Sequence, residues 1–177
     1  MSTVTQPRQA WAHRDGKIDM RPLEAADWSP PAVTARLQIQ EAFYRFGTAH
    51  DEARADVVGS CFTEDAVFEV AQGQAEPFVH YQGRAEIIRR ITGIVAEQAD
   101  QRRHCITNVL VDKLTADTAS AIAYGIVPVA ADGLTLGATV IYVADLVREQ
   151  ADGCWRFSYF YIGMDNYAGQ KPRSAED

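Results

Sequence analysis

The second half of the chain constrains the fold most, because it changes there from helical to strand-like patterning. Four stretches rich in β-branched and aromatic residues follow one another, at 104–113, 118–129, 135–148 and 154–163. Asp132-Gly133 and Asp152-Gly153 separate the last three, and Asp-Gly pairs are typical of tight hairpin turns. The pattern predicts an antiparallel meander.

The first half of the chain has mainly helical periodicity. It predicts helices from Ala32 to about His50, over 53–62 and over 83–99, with strands at 63–70 and 77–83. The apolar stripe of the first helix is Val33, Leu37, Ile39, Phe43 and Phe46, and that of the third is Ile87, Ile91, Ile94 and Val95. Helices followed by a meander indicate an α+β protein with helices packed on one face of a sheet.

The length of 177 residues fits one domain, and an apolar content of 47% is enough for a core. Residues 1–31 are polar with isolated aromatic anchors, and the prolines in Ser29-Pro30-Pro31 disfavour helix before them. We therefore predict an N-terminal arm over 1–31, an α+β domain over 32–168 and a polar tail over 169–177.

Charge, cysteine content and hydropathy exclude several classes of protein. A net charge of −7 argues against a nucleic-acid partner, which needs a basic patch. Three scattered cysteines without a C-x-x-C pair argue against a disulfide framework, and no H-x-H or H-E-x-x-H motif indicates a metal site. No signal-peptide core or 18-residue apolar run is present, so we expect a soluble, cytoplasmic protein without membrane contact.

The strand at 118–129 carries small residues on one face and large ones on the other. The small face is Ala119, Ala121, Ala123 and Gly125, and the large face is Ile122, Tyr124 and Ile126. The face of small residues indicates a strongly curved sheet. It either admits a closely packed helix or leaves room for a ligand. The sequence does not decide between the two.

His104 stands at the start of a predicted strand, and alternation puts it on one face with Ile106 and Asn108. It is either a core histidine with satisfied polar atoms or the base of an active site. Asn108 could bind a substrate oxygen or be a satisfied buried amide.

Asp51 ends the first predicted helix, where the negative pole of the helix dipole disfavours a carboxylate. It is either a turn residue or a functional one, and its helical neighbours are Tyr44, Gly47 and Thr48. A carboxylate that held one nitrogen of His104 would leave the other free as a general base. Spacing alone does not bring the two residues together, since fifty-three positions separate them.

Four segments follow one another in an order that is typical of a known superfamily: "IQEAFYRFGTAHDEARADVVGSCFTEDAVFEV", "YQGRAEIIRRI", "RRHCITNVLVD" and "DGCWRFSYFYIGMDNY". In this order the chain resembles the nuclear transport factor 2-like superfamily, and within it the SnoaL-like proteins, over residues 33–168. The resemblance implies a cone-shaped, curved antiparallel or mixed sheet wrapped on the N-terminal helices around a central pocket. It also implies that Asp51 pairs with His104 inside this pocket. His104 would then remove a proton next to a carbonyl or other activating group, Asp51 would orient the ring, and a leaving group would depart.

Two departures from relatives within the superfamily narrow the chemistry. Phe46 and Phe160 stand where dehydrochlorinase-type members have a lysine and an arginine, which argues against halide elimination. His50 and Val70 stand where scytalone dehydratase has tyrosines, which argues against that particular reaction. Phenols could come from elsewhere in the chain. The candidate substrate-binding residues are Tyr44, Phe46, Asn108, Tyr124, Tyr142 and Phe160.

We therefore expect a lyase or isomerase of dehydratase or cyclase type that needs no cofactor or metal and acts on a hydrophobic, oxygenated small molecule. The alternative is a non-catalytic ligand-binding or assembly module of the same fold. An epoxide hydrolase would need an Asp–Arg–Asp set for which no clear arginine is found. The alternating strands at 138–147 and 155–163 would suit the interface of a homodimer or higher homo-oligomer.

Overall fold

A seven-stranded sheet forms the framework of the computed structural model, which describes residues 11–14, 16–18 and 20–165. The helices are α1 (Trp11–Arg14), α2 (Pro30–Asp51), α3 (Ala55–Ser60) and α4 (Arg84–Glu97), with a short 3₁₀ turn at Leu23–Ala25. The strands are β1 (Phe62–Gln72), β2 (Val79–Gln82), β3 (Gln101–Arg102), β4 (Cys105–Leu114), β5 (Thr118–Ala130), β6 (Leu134–Arg148) and β7 (Trp155–Met164).

The strand order is β2-β1-β7-β6-β5-β3, and β4 also pairs with β5. The pairings are antiparallel except that of β1 with β7, which is parallel. The sheet curls into a half-barrel against α2, α3 and α4, so the predicted α+β class with a curved mixed sheet is confirmed. Strand β3 was not predicted, because two residues carry no period.

The turn chemistry accounts for the meander. Asp132-Gly133 lies in the β5–β6 connection and Asp152-Gly153 in the β6–β7 connection. Gly153 has a φ of 71°, in the left-handed region that a residue with a side chain rarely adopts. The predicted bounds of these strands lie within a residue of the observed ones, since turn residues and alternation are both local signals.

Aromatic rings fill the space between α2 and the concave face of the sheet. Phe46 of α2 lies 4.7 Å from Phe160 of β7 between ring centroids, and Phe160 lies 4.6 Å from Phe157. The fully buried aromatic side chains of this cluster are Phe43, Phe46, Phe62, Tyr142, Phe157 and Phe160. Burying this apolar area is the main favourable contribution to folding.

An irregularity in β7 explains why Phe157 and Phe160 both point inward. Regular alternation would put residues three apart on opposite faces. The register with β6 shifts between Phe157 and Tyr159, so Ser158 is an extra residue in the strand. The bulge re-aims the chain and places two phenylalanines in the same core.

The predicted helical stripes are wrong at three positions. Val33 is 39% exposed, Leu37 is 61% exposed and Ile94 is 44% exposed. Helix α2 instead buries a face that includes several small residues, which a search for large apolar side chains passes over. The buried residues of α2 are Ala32, Ile39, Ala42, Phe43, Phe46, Gly47 and Ala49.

The small face of β5 makes room for an aromatic ring of the neighbouring strand. A Cβ added at Gly125 would lie 2.5 Å from Cε2 of Tyr142 and 2.7 Å from Cγ2 of Val140. The space that the sequence left open to a helix or a ligand is occupied here by the Tyr142 ring.

Part of the predicted N-terminal arm packs on the convex face of the sheet. The indole N–H of Trp11 donates to Oδ1 of Asp165 at 2.8 Å, and the ammonium of Lys17 lies 4.4 Å from the centroid of the Tyr161 ring. Residues 1–10 of the arm and the predicted tail at 169–177 lie outside the described residues, so the domain bounds stay a prediction. None of the described helices has the length and apolar content to cross a membrane.

Gly125→Ala is expected to lower the free energy of unfolding by about 1–3 kcal/mol, because the methyl group would overlap the Tyr142 ring. Gly93→Ala is the control, since Gly93 lies within α4 with no atom near its would-be Cβ. We expect that change to stabilise by up to about 1 kcal/mol. Urea unfolding of both variants checks this, and equal effects would contradict the packing described for Gly125.

Candidate functional site

Asp51 and His104 are in direct contact through two hydrogen bonds. Nδ1 of His104 lies 2.5 Å from Oδ1 of Asp51, and the backbone N–H of His104 donates to Oδ2 at 2.8 Å. An ionised carboxylate only accepts hydrogen bonds, so Nδ1 carries the proton. The lone pair is therefore on Nε2, the nitrogen that a general base would use.

The contact joins the last residue of α2 to the residue before β4. Gly47 permits this close approach, because a Cβ there would lie 3.0 Å from Cδ1 of Ile106 and 3.1 Å from the carbonyl oxygen of His104. Ala53, with a φ of 50°, turns the chain away directly after the helix. The side chain of Asp51 is 6% exposed and that of His104 is 15% exposed.

His50 is a third member of the cluster. Its ring lies edge-on to the His104 ring with 4.3 Å between centroids, and its Nδ1 lies 3.9 Å from Oδ1 of Asp51. This Nδ1 is buried and makes no hydrogen bond. Burial, followed by repulsion from His104, lowers the pKa of His50 to about 3, so the ring is uncharged at neutral pH.

Sequence reasoning did not select His50 as a site residue, although His50 and Asp51 are adjacent. Consecutive helical residues point about 100° apart, so adjacency does not predict that both reach one partner. The sequence did contain one indication that His50 belongs to the site. In the resemblance, His50 aligns with a tyrosine of scytalone dehydratase. Three ligand atoms, one each from His50, Asp51 and His104, lie within 4.8 Å of one another, and this group could hold a metal ion.

Three of the predicted substrate-binding residues lie in the aromatic core. Phe46 is 6.0 Å from His50 between ring centroids, and Tyr142 is 5.5 Å from Phe160. Tyr142 is fully buried and its hydroxyl has no hydrogen-bond partner. Burial, with a smaller contribution from the negative charge of Asp51, raises the pKa of this phenol, so it remains a hydrogen-bond donor.

The other three predicted residues are not brought to the pair. Tyr44 is 44% exposed and lines a surface groove with Arg45 and Arg54. Asn108 and Tyr124 line a different groove, of about 790 Å³, on the convex face beneath the described part of the arm. Neither groove is lined by Asp51 or His104, and the substrate-binding role of these three residues stays a prediction.

Asn108 leaves the face of His104 because β4 is irregular at this residue. Asn108 has a φ of 53°, and the register with β5 shifts between Thr107 and Leu110. Val109 is consequently buried where strict alternation would expose it. The predicted shared face of His104 and Asn108 is therefore wrong, since one left-handed residue reverses the alternation.

Neither Asp51 nor His104 lines the convex-face groove or the groove beside Tyr44. The pair is also absent from a groove of about 510 Å³ lined by Asp27, Arg148 and Trp155, among others. The interior next to Asp51 and His104 is occupied by aromatic rings instead. Solvent reaches His104 only through its small exposed fraction.

A long helix packed inside a curled mixed sheet is the fold that the chain shares with a solved nuclear transport factor 2-like protein. An NTF2-like protein with a cystatin-like fold from Novosphingobium aromaticivorans has this architecture, at 21% identity and a TM-score of 0.63 over 75% of this chain and 82% of that one. The family model of the SnoaL-like domain matches residues 31–161, and the chain belongs to this family.

Two further solved structures extend the comparison. A protein from Catenulispora acidiphila, in complex with S-DNPA, is 26% identical with a TM-score of 0.62, covering 75% of this chain and 94% of that one. A candidate scytalone dehydratase from N. aromaticivorans is 15% identical with a TM-score of 0.67, covering 82% and 93%. No curated protein matches the chain.

Replacing His50 by Phe is expected to flatten the dependence of stability on pH. The unfolded chain binds a proton at His50 below pH 6.5, whereas the folded chain, with its pKa at about 3, does not. Stability therefore falls as the pH is lowered from 6.5, by about 1.4 kcal/mol per unit for this group.

The charged groups that act on His50 are His104, Asp51 and Arg102, and all of them remain in the His50→Phe variant. Urea unfolding between pH 7 and 4.5, in the presence of a chelator, measures the two slopes. Parallel slopes for the wild type and the variant would mean that His50 titrates in the folded chain as it does in water.

Proposed function

We propose that the protein is a lyase or isomerase of dehydratase or cyclase type, in which His104 removes a proton from a carbon next to a carbonyl group. The two-point contact between Asp51 and His104 carries this proposal. It fixes the ring orientation and leaves Nε2 as the proton acceptor. Asp51 is a positioning residue, and no cofactor takes part in the proposed step.

The reaction starts when Nε2 of His104 takes the proton and the C–H electron pair moves into an enolate. The imidazolium that results is stabilised by the carboxylate of Asp51 at 2.5 Å. In an elimination, the enolate then expels a β-hydroxyl group, which leaves as water with the proton from Nε2. In an isomerisation, the same proton returns to a different carbon. Such acid–base assistance is worth about two to four powers of ten in rate.

Tyr142 is the proposed donor to the substrate oxygen. A buried hydroxyl without a partner is uncommon, because leaving a polar group unsatisfied costs about 1–3 kcal/mol. The raised pKa keeps the phenol protonated, so it can donate to an enolate oxygen next to the pair. Substrate binding would displace the neighbouring rings and give the hydroxyl its missing acceptor.

The surroundings favour a hydrophobic, oxygenated substrate. The rings of Phe46, Phe160 and Tyr142 supply apolar surface, and the polar atoms next to them belong to the cluster of His50, Asp51 and His104. The S-DNPA complex of the C. acidiphila relative and the name of the candidate dehydratase support a small-molecule substrate.

The test is hydrogen–deuterium exchange at the α-carbon of cyclic β-hydroxy ketones and enones in D₂O, followed by NMR with a chelator present. We expect wild-type protein to catalyse exchange with one class of these compounds. His104→Gln is expected to reduce the exchange rate by about 10²–10⁴-fold. Asp51→Asn is expected to lower kcat while KM changes less.

His80→Gln is the matched control, because His80 also contacts a carboxylate, that of Glu69 at 3.0 Å, but on the exposed surface. It should leave the exchange rate unchanged. Equal rates for the wild type and His104→Gln across the panel would contradict the proposal.

A binding or assembly module is the second candidate, and the filled aromatic interior favours it. The beta subunit of a candidate aromatic-ring-hydroxylating dioxygenase from N. aromaticivorans shares the fold, at 18% identity and a TM-score of 0.66 over 76% of this chain and 92% of that one. Saturable binding of an apolar ring compound without any proton exchange would support this alternative.

Tyr142→Phe is expected to separate activity from stability. Loss of the donor should reduce kcat by about 10²-fold or more. The free energy of unfolding should stay unchanged or rise by about 1 kcal/mol, because the variant removes a buried hydroxyl that has no partner. Exchange kinetics and urea unfolding measure the two effects, and a variant that is destabilised but fully active would contradict this role.

A further inference from the structure

The cluster around Asp51 contains three atoms that can bind metal and that converge on one point. Nδ1 of His50 and Nδ1 of His104 both approach Oδ1 of Asp51, at 3.9 and 2.5 Å. We propose that His50, Asp51 and His104 bind one divalent transition-metal ion of the zinc type, in competition with the hydrogen bond between Asp51 and His104.

The two distances to the Asp51 carboxylate lie on either side of the spacing that a small cation needs. Two ligand atoms that each lie about 2.1 Å from a tetrahedral zinc are about 3.4 Å apart. The two observed separations, 3.9 and 2.5 Å, lie on either side of this value and share the Asp51 oxygen. Rotation of that carboxylate away from His104 and toward His50 would bring both separations nearer to it. The two ring nitrogens, which lie within 4.8 Å of each other, would also have to approach.

The donor set fits the same class of ion. Two imidazoles and one carboxylate favour zinc, cobalt, nickel or iron over calcium or magnesium, which prefer oxygen ligands. The buried Nδ1 of His50 has no hydrogen-bond partner, so binding a cation there breaks no existing bond. A cation would supply the partner that this nitrogen lacks.

Neighbouring cations are already compensated. Arg102 pairs with Asp100 at 2.8 Å, and Arg103 pairs with Glu52 at 3.2 Å. The carboxylate of Asp51 is thus a nearby negative charge available to an incoming cation. The partial exposure of the His50 and His104 side chains, 14% and 15%, leaves a route from solvent.

The bound ion would replace the proton on Nδ1 of His104. Proton and metal therefore exclude each other, and the metal-loaded protein should lack the exchange activity that the proposed function predicts. Metal binding itself does not depend on that activity and is measured without substrate.

The experiment uses tag-free, chelator-treated protein carrying Cys105→Ser and Cys154→Ser, because both thiols are exposed and would bind zinc themselves. Cobalt titration followed by its visible absorption, and zinc titration by calorimetry, give stoichiometry and affinity. We expect one ion per chain. In the same background, His50→Phe should weaken binding at least about 10-fold, and His80→Phe should not change it.

Absence of saturable one-to-one binding would overturn the proposal, and so would equal affinities for His50→Phe and His80→Phe. Urea unfolding shows whether His50→Phe is folded. NMR of the protein that keeps all its histidines gives a second, independent measurement. Cobalt should broaden the ring signals of His50 and His104 and leave those of His80 sharp. Broadening at His80 alone would also overturn it.

Discussion

The contact between the Asp51 carboxylate and His104 is the interaction on which the candidate site depends. A buried carboxylate must be hydrogen-bonded, and here the backbone and the ring of one residue supply both donors. The contact also joins the end of the long helix to the residue before β4. One interaction therefore satisfies a charge, orients a ring and fixes the approach of a helix to a sheet.

The close approach needs a permissive helix surface, which Gly47 provides. A side chain at this position would press on Ile106 and on the carbonyl of His104. Within a helix, glycine is otherwise unfavourable by about 1 kcal/mol relative to alanine. This local destabilisation occurs at Gly47, beside the candidate site, where the chain entering β4 passes close to the backbone of α2.

Local signals made most of the fold predictable, whereas the details of the site depend on packing. Hairpin turns and alternation located β4 to β7, because Asp-Gly pairs and period-two patterns act over a few residues. The bulges at Asn108 and Ser158 could not be predicted, since they arise from the register between strands. The resemblance suggested that Asp51 and His104 meet, but the third member, His50, becomes evident only when distances across fifty-four positions are known.

The parallel pairing of β1 with β7 has a consequence for how the chain acquires its structure. The two strands are neighbours, second and third in the order of the sheet, although about ninety residues separate them, and β7 contributes Phe157 and Phe160 to the core. During synthesis, Phe43 and Phe46 of α2 thus lack these two partners until nearly all of the described sequence has left the ribosome. Early segments must remain soluble without their final partners, and closure of the core is a late, long-range event that slows folding.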